Sequence, residues 1–189
     1  MRQLLATLEN ISPYSQSRFI ASEKGPKENH DAFEARTWRE RIHTNDDGEV
    51  IVPVMALKYS TDEAAKRLAI RVPGEGKTLY TKYFEAGYFV AEPPNLGIRA
   101  DAVKGEWLWM SSNGKKGKDA GPRVRRCYPI MPQWKTEVKF IVLDDKIPEE
   151  IFERCLESAG WFVGIGRFRP EKQGYFGRFK IADLKWSEM

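Results

Sequence analysis

Residues suited to holding a phosphate group are concentrated near the end of the chain, in the segment Gly160–Lys180. Its five glycines let a backbone approach a bulky ligand and expose N–H donors. Its arginines can pair with phosphate through two parallel hydrogen bonds, and its aromatic rings can stack on bases. Gly-Arg-Phe occurs twice, at Gly166–Phe168 and Gly177–Phe179, which core packing does not require. The segment predicts contact with a nucleic-acid backbone; the alternative is a helix end, a loop and a core strand, with the arginines in solvent.

Two nucleotide-binding loops are excluded by what surrounds the glycines. The dinucleotide-binding loop follows a strand and opens a helix, whereas Gly160–Lys180 follows a predicted helix and precedes a predicted strand. The sequence Gly74–Thr78 contains the end of a P-loop but lacks the glycine that should stand five residues before Gly76. We therefore predict no nucleoside-triphosphate site and no cofactor.

The only two histidines, His30 and His43, lie in one charged segment with Asp31. A histidine pair with a nearby acid can serve an endonuclease or hold a metal ion, so these three are the candidate catalytic residues. The charged surroundings favour the alternative, exposed side chains of an arm, and we predict no metal site. No Ser–His–Asp or Cys–His arrangement follows from spacing. The chain is therefore not predicted to be an enzyme; if it is one, we expect an endoribonuclease.

The chain of 189 residues has 41% apolar and 31% charged residues, as expected for a folded domain with a charged surface. Its net charge of +4 is unevenly placed, because Ser111–Arg126 carries six cations and one acid, whereas acids gather in Asp144–Glu157. The basic segment predicts nonspecific attraction to phosphate. Cys127 and Cys155 lack metal-binding spacing and are expected to be reduced thiols. No signal peptide or membrane span is visible, so we expect a cytoplasmic protein without a membrane partner.

Periodicity and turn residues predict the elements that must position these side chains. The predicted strands are Arg2–Ile11, Glu49–Pro53, Glu106–Met110, Arg125–Met131, Glu137–Leu143 and Phe176–Leu184. The predicted helices are Val54–Ile70 and Pro148–Ala159, the second with Gly160 at its C′ position. Ser12–Asp47 is predicted to be a polar arm whose later part, His30–His43, could instead be a short helix, and the aromatic stretch Gly74–Pro94 is predicted to be a hairpin. Because strands and helices do not alternate regularly, the order favours an α+β fold with two helices on one face of an antiparallel sheet.

The Gly-rich segment resembles a loop of a known superfamily. The carrying residues are Gly164-Ile165-Gly166-Arg167, then Gly174-Tyr175-Phe176-Gly177-Arg178-Phe179, between the second predicted helix and the last predicted strand. A Gly-rich loop in this place is a hallmark of the RAMP superfamily, the backbone and guide-processing subunits of CRISPR effector complexes. Gly48–Lys58 also resembles the turn, strand and helix entry of the backbone subunits, although Val54-Met55-Ala56 replaces their usual Gly-Ser-Ser.

The resemblance implies a ferredoxin-like (RRM-like) sheet in a single domain over residues 1–189, with inserted arm and hairpin loops at about 12–48, 71–104 and 111–124. It implies a backbone subunit that coats single-stranded guide RNA through phosphate contacts. The RNA would lie across the sheet and the Gly-rich loop, and the subunit would oligomerise along it or join other effector subunits. The residues expected to contact nucleic acid are Lys58, Gly164, Gly166, Arg167, Phe168, Arg169, Gly174, Tyr175, Gly177 and Arg178. Two alternatives stay open. One is a viral or mobile-element protein of the same fold that binds single-stranded DNA or mimics a CRISPR subunit; the other is the endoribonuclease.

Overall fold

Nine strands and four α-helices are formed by residues 1–115 and 117–189, the part of the chain that the computed structural model describes. Lys116, one of the cations of the basic segment, lies outside these residues. The strands are β1 (Arg2–Asn10), β2 (Tyr14–Ser15), β3 (Glu49–Ile51), β4 (Tyr88–Val90), β5 (Asn95–Arg99), β6 (Lys104–Ser111), β7 (Arg123–Met131), β8 (Lys135–Val142) and β9 (Phe179–Glu188). The α-helices are α1 (His30–Thr37), α2 (Val54–Leu68), α3 (Thr81–Phe84) and α4 (Glu149–Ser158). No helix in the described part of the chain has the length and apolar character needed to cross a membrane.

The main sheet contains four antiparallel strands in the order β4-β8-β1-β9. Along the chain, α2 lies between β1 and β4, and α4 lies between β8 and β9. This is the βαββαβ pattern of a ferredoxin-like fold, with the first core strand placed between the third and the fourth. The predicted α+β, ferredoxin-like architecture is confirmed.

Alternation along β1 selects the buried face of this sheet. Leu4, Ala6 and Leu8 are fully buried in the core, whereas the residues between them are only partly buried. Phe152 of α4 enters the same core from the helix layer, with its ring 5.3 Å from that of Phe140 on β8. Each large apolar side chain buried in this way contributes about 1.5–3 kcal/mol to stability. The two-residue period of the strand is therefore what fixes the helices to one side of the sheet.

The segment 71–104, predicted to be an insertion, contributes β4 to the main sheet. β4 pairs with β8, where Tyr88 lies opposite Val142. The hairpin predicted within Gly74–Pro94 is therefore wrong, and part of that segment forms α3 instead. Local pattern could not reveal this pairing, because a three-residue strand has almost no periodicity of its own and its partner lies far along the chain.

The predicted end of the second helix is also corrected. After Ser158 the helix continues through a π-helical turn, Ala159–Val163, and ends at Gly164, whose φ is +72°. Gly160 is therefore not at the C′ position. It is small for another reason: a Cβ at Gly160 would overlap the backbone of Phe179 on β9.

The predicted polar arm contains α1, which together with the 3₁₀ turn that follows it covers the free edge of β7. β7 belongs to a second sheet of order β2-β7-β6, in which β2 pairs only with the end of β7. Beyond that pairing, His30 Nε2 lies 3.0 Å from the carbonyl oxygen of Arg125. Glu34 accepts the N–H of Cys127 at 2.7 Å, and Arg41 donates to the carbonyl of Cys127 at 3.1 Å. Side chains thus satisfy backbone groups that an additional strand would otherwise pair.

Candidate nucleic-acid interface

The Gly-rich loop, residues 164–178, folds back onto β2 and onto the connection between β1 and β2. The N–H of Arg167 donates to the carbonyl of Ser15 at 2.8 Å, and the N–H of Gly177 donates to the carbonyl of Pro13 at 2.8 Å. These two bonds attach the loop to the segment that leaves the first strand of the main sheet. Because it is attached at two points, the loop presents its side chains from a fixed backbone.

The glycines of the loop serve its own packing. Gly166 and Gly177 have φ values of +77° and +76°, and a Cβ at either one would overlap a carbonyl oxygen of the neighbouring backbone. Gly164, Gly174 and Gly177 donate their N–H groups to carbonyl oxygens within the chain. The expectation that the glycines expose N–H donors to a ligand therefore does not hold for these three.

Arg167 is buried and stacked, not extended into solvent. Its side chain is 7% exposed, and its guanidinium carbon lies 3.9 Å from the ring centre of Tyr128 and 4.4 Å from that of Phe168. Its Nε donates to Ser15 Oγ at 3.1 Å, and its Nη2 lies 3.4 Å from the carboxylate of Glu106. Burial lowers the pKa of this guanidinium, and its Nη1 has no hydrogen-bond partner among the described residues. Arg167 therefore joins the Gly-rich loop to β6 and β7.

Arg169 faces α2 and is partly buried. Its guanidinium carbon lies 5.0 Å from the ring centre of Tyr59, and both its Nε and its Nη2 lie 2.9 Å from the Glu171 carboxylate. The Tyr59 hydroxyl donates to the same carboxylate at 2.8 Å. The guanidinium is thus already paired with an anion in the free protein.

Three other predicted residues form the exposed part of the loop. Phe168 and Tyr175 are 44% and 62% exposed. Arg178 donates through its side chain to the carbonyls of Trp161 and Tyr175, at 3.3 and 3.2 Å. A partly exposed guanidinium held beside exposed rings is the arrangement expected of a surface on which bases stack and phosphates pair.

A cavity of about 320 Å³ opens between the Gly-rich loop and the start of α2. It is lined by Tyr14, Gln16, Ser17, His43, Pro53, Ala56, Gly166, Arg167 and Arg169. None of these described lining residues is acidic. α2 begins at this cavity with no side-chain cap and no acid in its first turn, so the positive end of its dipole lacks a local counter-charge. The cavity is therefore suited to an anion of the size of a phosphate group.

The three candidate catalytic residues are not brought together as a set. His30 and Asp31 lie at the edge of β7, where Asp31 is 3.8 Å from the guanidinium of Arg125. His43 lines the cavity, and burial, followed by the charge of Arg18, lowers its pKa. Among residues 1–115 and 117–189, no three His, Cys, Asp or Glu side chains are grouped so that they could hold a metal ion. His30 therefore has a structural hydrogen bond, whereas His43 lines the same cavity as Arg167 and Arg169.

The Lys58 side chain is largely buried and bonded to other residues of the protein. Its Nζ lies 2.7 Å from Asp62, one helical turn later, donates to the carbonyl of Phe84 at 2.9 Å and lies 4.2 Å from the ring centre of Tyr88. The side chain is 13% exposed. We therefore leave Lys58 out of the interface, although the sequence predicted it as a phosphate contact.

The β6–β7 hairpin carries two exposed tryptophans that sequence reasoning missed, next to arginines of the predicted basic segment. Trp107 and Trp109 are 39% and 61% exposed, and Arg125 lies over the Trp107 ring at 4.8 Å. Arg125 pairs with Trp109 across the two strands, and Arg123, two residues earlier in β7, lies on the same face. The signal was present in Glu106–Met110, where two tryptophans recur at the period of a strand and so share one face.

The open face of the main sheet has mixed charge. Glu137 and Asp183 lie on either side of Thr7 of β1. Glu9, the next residue of β1 on the same face, lies between Lys135 and Lys180, at 2.9 and 3.4 Å. Acidic side chains repel a polyanion, and the neighbouring lysines are already paired. The expected path of RNA across the sheet is therefore not part of the interface that we define.

Comparisons with known proteins place this geometry in a fold class. No family model matches the chain, and no curated protein matches it. A chain of the "Cryo-EM structure of the Type III-B Cmr-beta bound to cognate target RNA" has a TM-score of 0.56 at 9% identity, covering 98% of this chain and 60% of that one. The crystal structure of Cmr6 from Pyrococcus furiosus gives 0.49 at 12% identity, covering 96% and 98%. A "CRISPR RNA-guided surveillance complex" gives 0.42 at 9% identity, covering 96% and 67%.

The chain is therefore an α+β protein with a ferredoxin-like core that carries a second small sheet and a Gly-rich loop before its last strand. More specifically, this fold is similar to that of the Cmr-beta chain, as the resemblance found in the sequence led us to expect. This conclusion rests on the first of the three structures. At 9% identity the likeness concerns the fold, and the chain spans 60% of the length of the Cmr-beta chain that it matches.

Proposed function

We propose that this chain is an RNA-binding subunit of a CRISPR-type effector assembly, and that it holds single-stranded RNA by its phosphates at the Gly-rich loop. The observation that carries the proposal is the cavity at the start of α2, which is lined by His43, Arg167 and Arg169 and by no acid among its described lining residues. A phosphate placed there lies beside Arg167, Arg169 and an uncapped helix start.

Exposed aromatic rings support a single strand as the ligand. Tyr175 and Phe168 offer rings on the Gly-rich loop that unpaired bases can stack on. Trp107 and Trp109 offer two more on the β6–β7 hairpin, on the face opposite to the one that carries Glu106 and Tyr128 and meets Arg167. Arg178 and Arg125 lie beside these rings and can pair with the intervening phosphates. Because such contacts do not read base edges, binding should be largely independent of sequence and steeply dependent on salt.

The partners proposed for the chain follow from the same surface. The Cmr-beta structure is bound to target RNA, and we extend RNA binding to this chain on the strength of its cavity and exposed rings. Assembly with further copies along the RNA, or with other effector subunits, is part of the proposal. The mixed charges of the open sheet face suit a protein neighbour better than a polyanion.

Fluorescence anisotropy with a labelled oligouridine tests the proposal. The double variant Tyr175→Ala/Arg178→Ala should bind about tenfold more weakly, since one stacked base is worth about 1–3 kcal/mol. The slope of log affinity against log salt should fall by about one, because one phosphate contact is lost. An oligothymidine of equal length should bind more weakly than the RNA if a 2′-hydroxyl is contacted.

Arg154→Ala is the matched control, since it removes one exposed positive charge from α4. It should leave both the affinity and the salt slope nearly unchanged. Equal affinity of the double variant and the wild type would refute the interface, and the absence of RNA binding by the wild type would refute the function.

A further inference from the structure

A second anion site lies beside the cavity, and its occupant in the free protein is a side chain. The Glu171 carboxylate receives two contacts of 2.9 Å from Arg169, one hydrogen bond of 2.8 Å from Tyr59 and one of 2.6 Å from Lys172. Burial raises the pKa of Glu171, but hydrogen bonds from Lys172 and Tyr59 and the charge of Arg169 outweigh it and lower the pKa. Four donor atoms of three side chains, one from α2 and two from the Gly-rich loop, thus converge on one anion.

The local backbone holds this carboxylate in place. Glu171 is the middle residue of a 3₁₀ turn, Pro170–Lys172, that begins with proline and ends at Gln173 with a φ of +60°. Gly174 then packs so closely on the backbone of Phe168 that a Cβ there would overlap it. The backbone around Glu171 is therefore fixed, and rotation of its side chain is what takes the carboxylate out of the site.

The donors are those that recognise a phosphate. A guanidinium that presents two N–H groups, an ammonium and a phenolic hydroxyl can satisfy the oxygens of one phosphate as they satisfy a carboxylate. Arg169 also lines the cavity at the start of α2, so the two sites share one guanidinium. A strand whose phosphate enters the cavity passes next to Glu171.

We propose that Arg169, Lys172 and Tyr59 form a binding site for an RNA phosphate, and that Glu171 occupies this site until RNA displaces it. The inference rests on the proposed function. Glu171 is then an internal competitor that weakens the binding of any polyanion. Tyr59 and Lys172 are then also ligand contacts, although neither belongs to the set that the sequence predicted.

Glu171→Gln tests the inference, because the amide keeps the shape of the side chain and can still accept from Tyr59, but it has no charge. The variant should bind labelled oligouridine about fivefold more tightly than the wild type. Glu63→Gln is the matched control, since Glu63 is also paired with a lysine, Lys66, and its loss changes the net charge equally. That variant should gain much less affinity.

Further variants separate a specific site from general electrostatics. In an Arg169→Ala background, Glu171→Gln should give little gain, and Tyr59→Phe should weaken oligouridine binding in the Glu171→Gln background more than in the wild type. If the wild type binds RNA but Glu171→Gln binds no more tightly than Glu63→Gln, the displacement model is wrong and the proposed function stands. If the wild type binds neither RNA nor DNA, both proposals are wrong. Thermal melting of each variant shows that the fold is retained.

Discussion

Arg167 provides the sharpest test of how the Gly-rich loop is held. We predict that Arg167→Ala destabilises the protein strongly, although an arginine in a Gly-rich basic loop would ordinarily be expected in solvent. The side chain is 7% exposed and lies against the rings of Tyr128 and Phe168. Truncation therefore removes the contact that joins the loop to the second sheet.

The expected size of the effect follows from these contacts. Each close ring contact of a desolvated guanidinium is worth about 1–2 kcal/mol, and losing the charge leaves Ser15 and Glu106 without a donor. The desolvation penalty of the buried charge disappears at the same time and offsets part of the loss. Breaking a buried ion pair costs about 3–5 kcal/mol. Because Glu106 is 40% exposed, we expect the lower limit, about 3 kcal/mol in the free energy of unfolding.

Urea denaturation followed by tryptophan fluorescence measures this free energy. Arg167→Met should lose only about 1 kcal/mol, because it keeps the packing against the rings and removes a buried charge. Arg178→Ala, at a nearby arginine that is only partly buried, should stay within about 0.5 kcal/mol of the wild type. A loss below about 1 kcal/mol for Arg167→Ala would show that this side chain does not hold the loop.

Two further predictions concern the cavity and the loop backbone. Burial lowers the pKa of His43 in the free protein, and a phosphate in the cavity favours its protonated form. Oligouridine affinity should therefore rise about threefold from about pH 8 to about pH 6. The same pH dependence of affinity in His43→Asn would contradict this prediction. Gly166→Ala should lower the free energy of unfolding by about 2–3 kcal/mol, because φ is +77° and the added Cβ meets Ser15. Gly48→Ala, where φ is +76° but the Cβ enters open space, should lower it by only about 1 kcal/mol. Equal losses in urea or thermal denaturation would show that the close contact is not decisive.

Elements with several residues of clear period were predictable from the sequence. β1 ends within one residue of its prediction, and α2 begins at Val54 as predicted. α2 ends at Leu68, two residues before the predicted end, and Ala69, whose φ is +48°, is its C-cap. The pairing of β4 with β8 was not predictable, because strand partners distant in sequence are selected by the whole core and not by local pattern.

The side chains of the candidate site were harder to predict than the elements that hold them. Lys58 and Asp62 are spaced one helical turn apart, so their ion pair could have been expected from the sequence. The burial of Arg167 could not, because the ring of Tyr128 that covers it comes from a distant strand. His30 shows the same limit, since its hydrogen-bond partner is a backbone carbonyl exposed only by the position of β7.

The cover that α1 places along β7 has a consequence for solubility and assembly. An open strand edge is where proteins aggregate or exchange segments, because its backbone groups accept any extended chain. His30, Glu34 and Arg41 occupy those groups with side chains that cannot propagate a ladder. Fibrillar growth from this side of the second sheet is thereby blocked. Copies that assembled on RNA, as we propose, would then meet through their surfaces, without adding strands to one another at this edge.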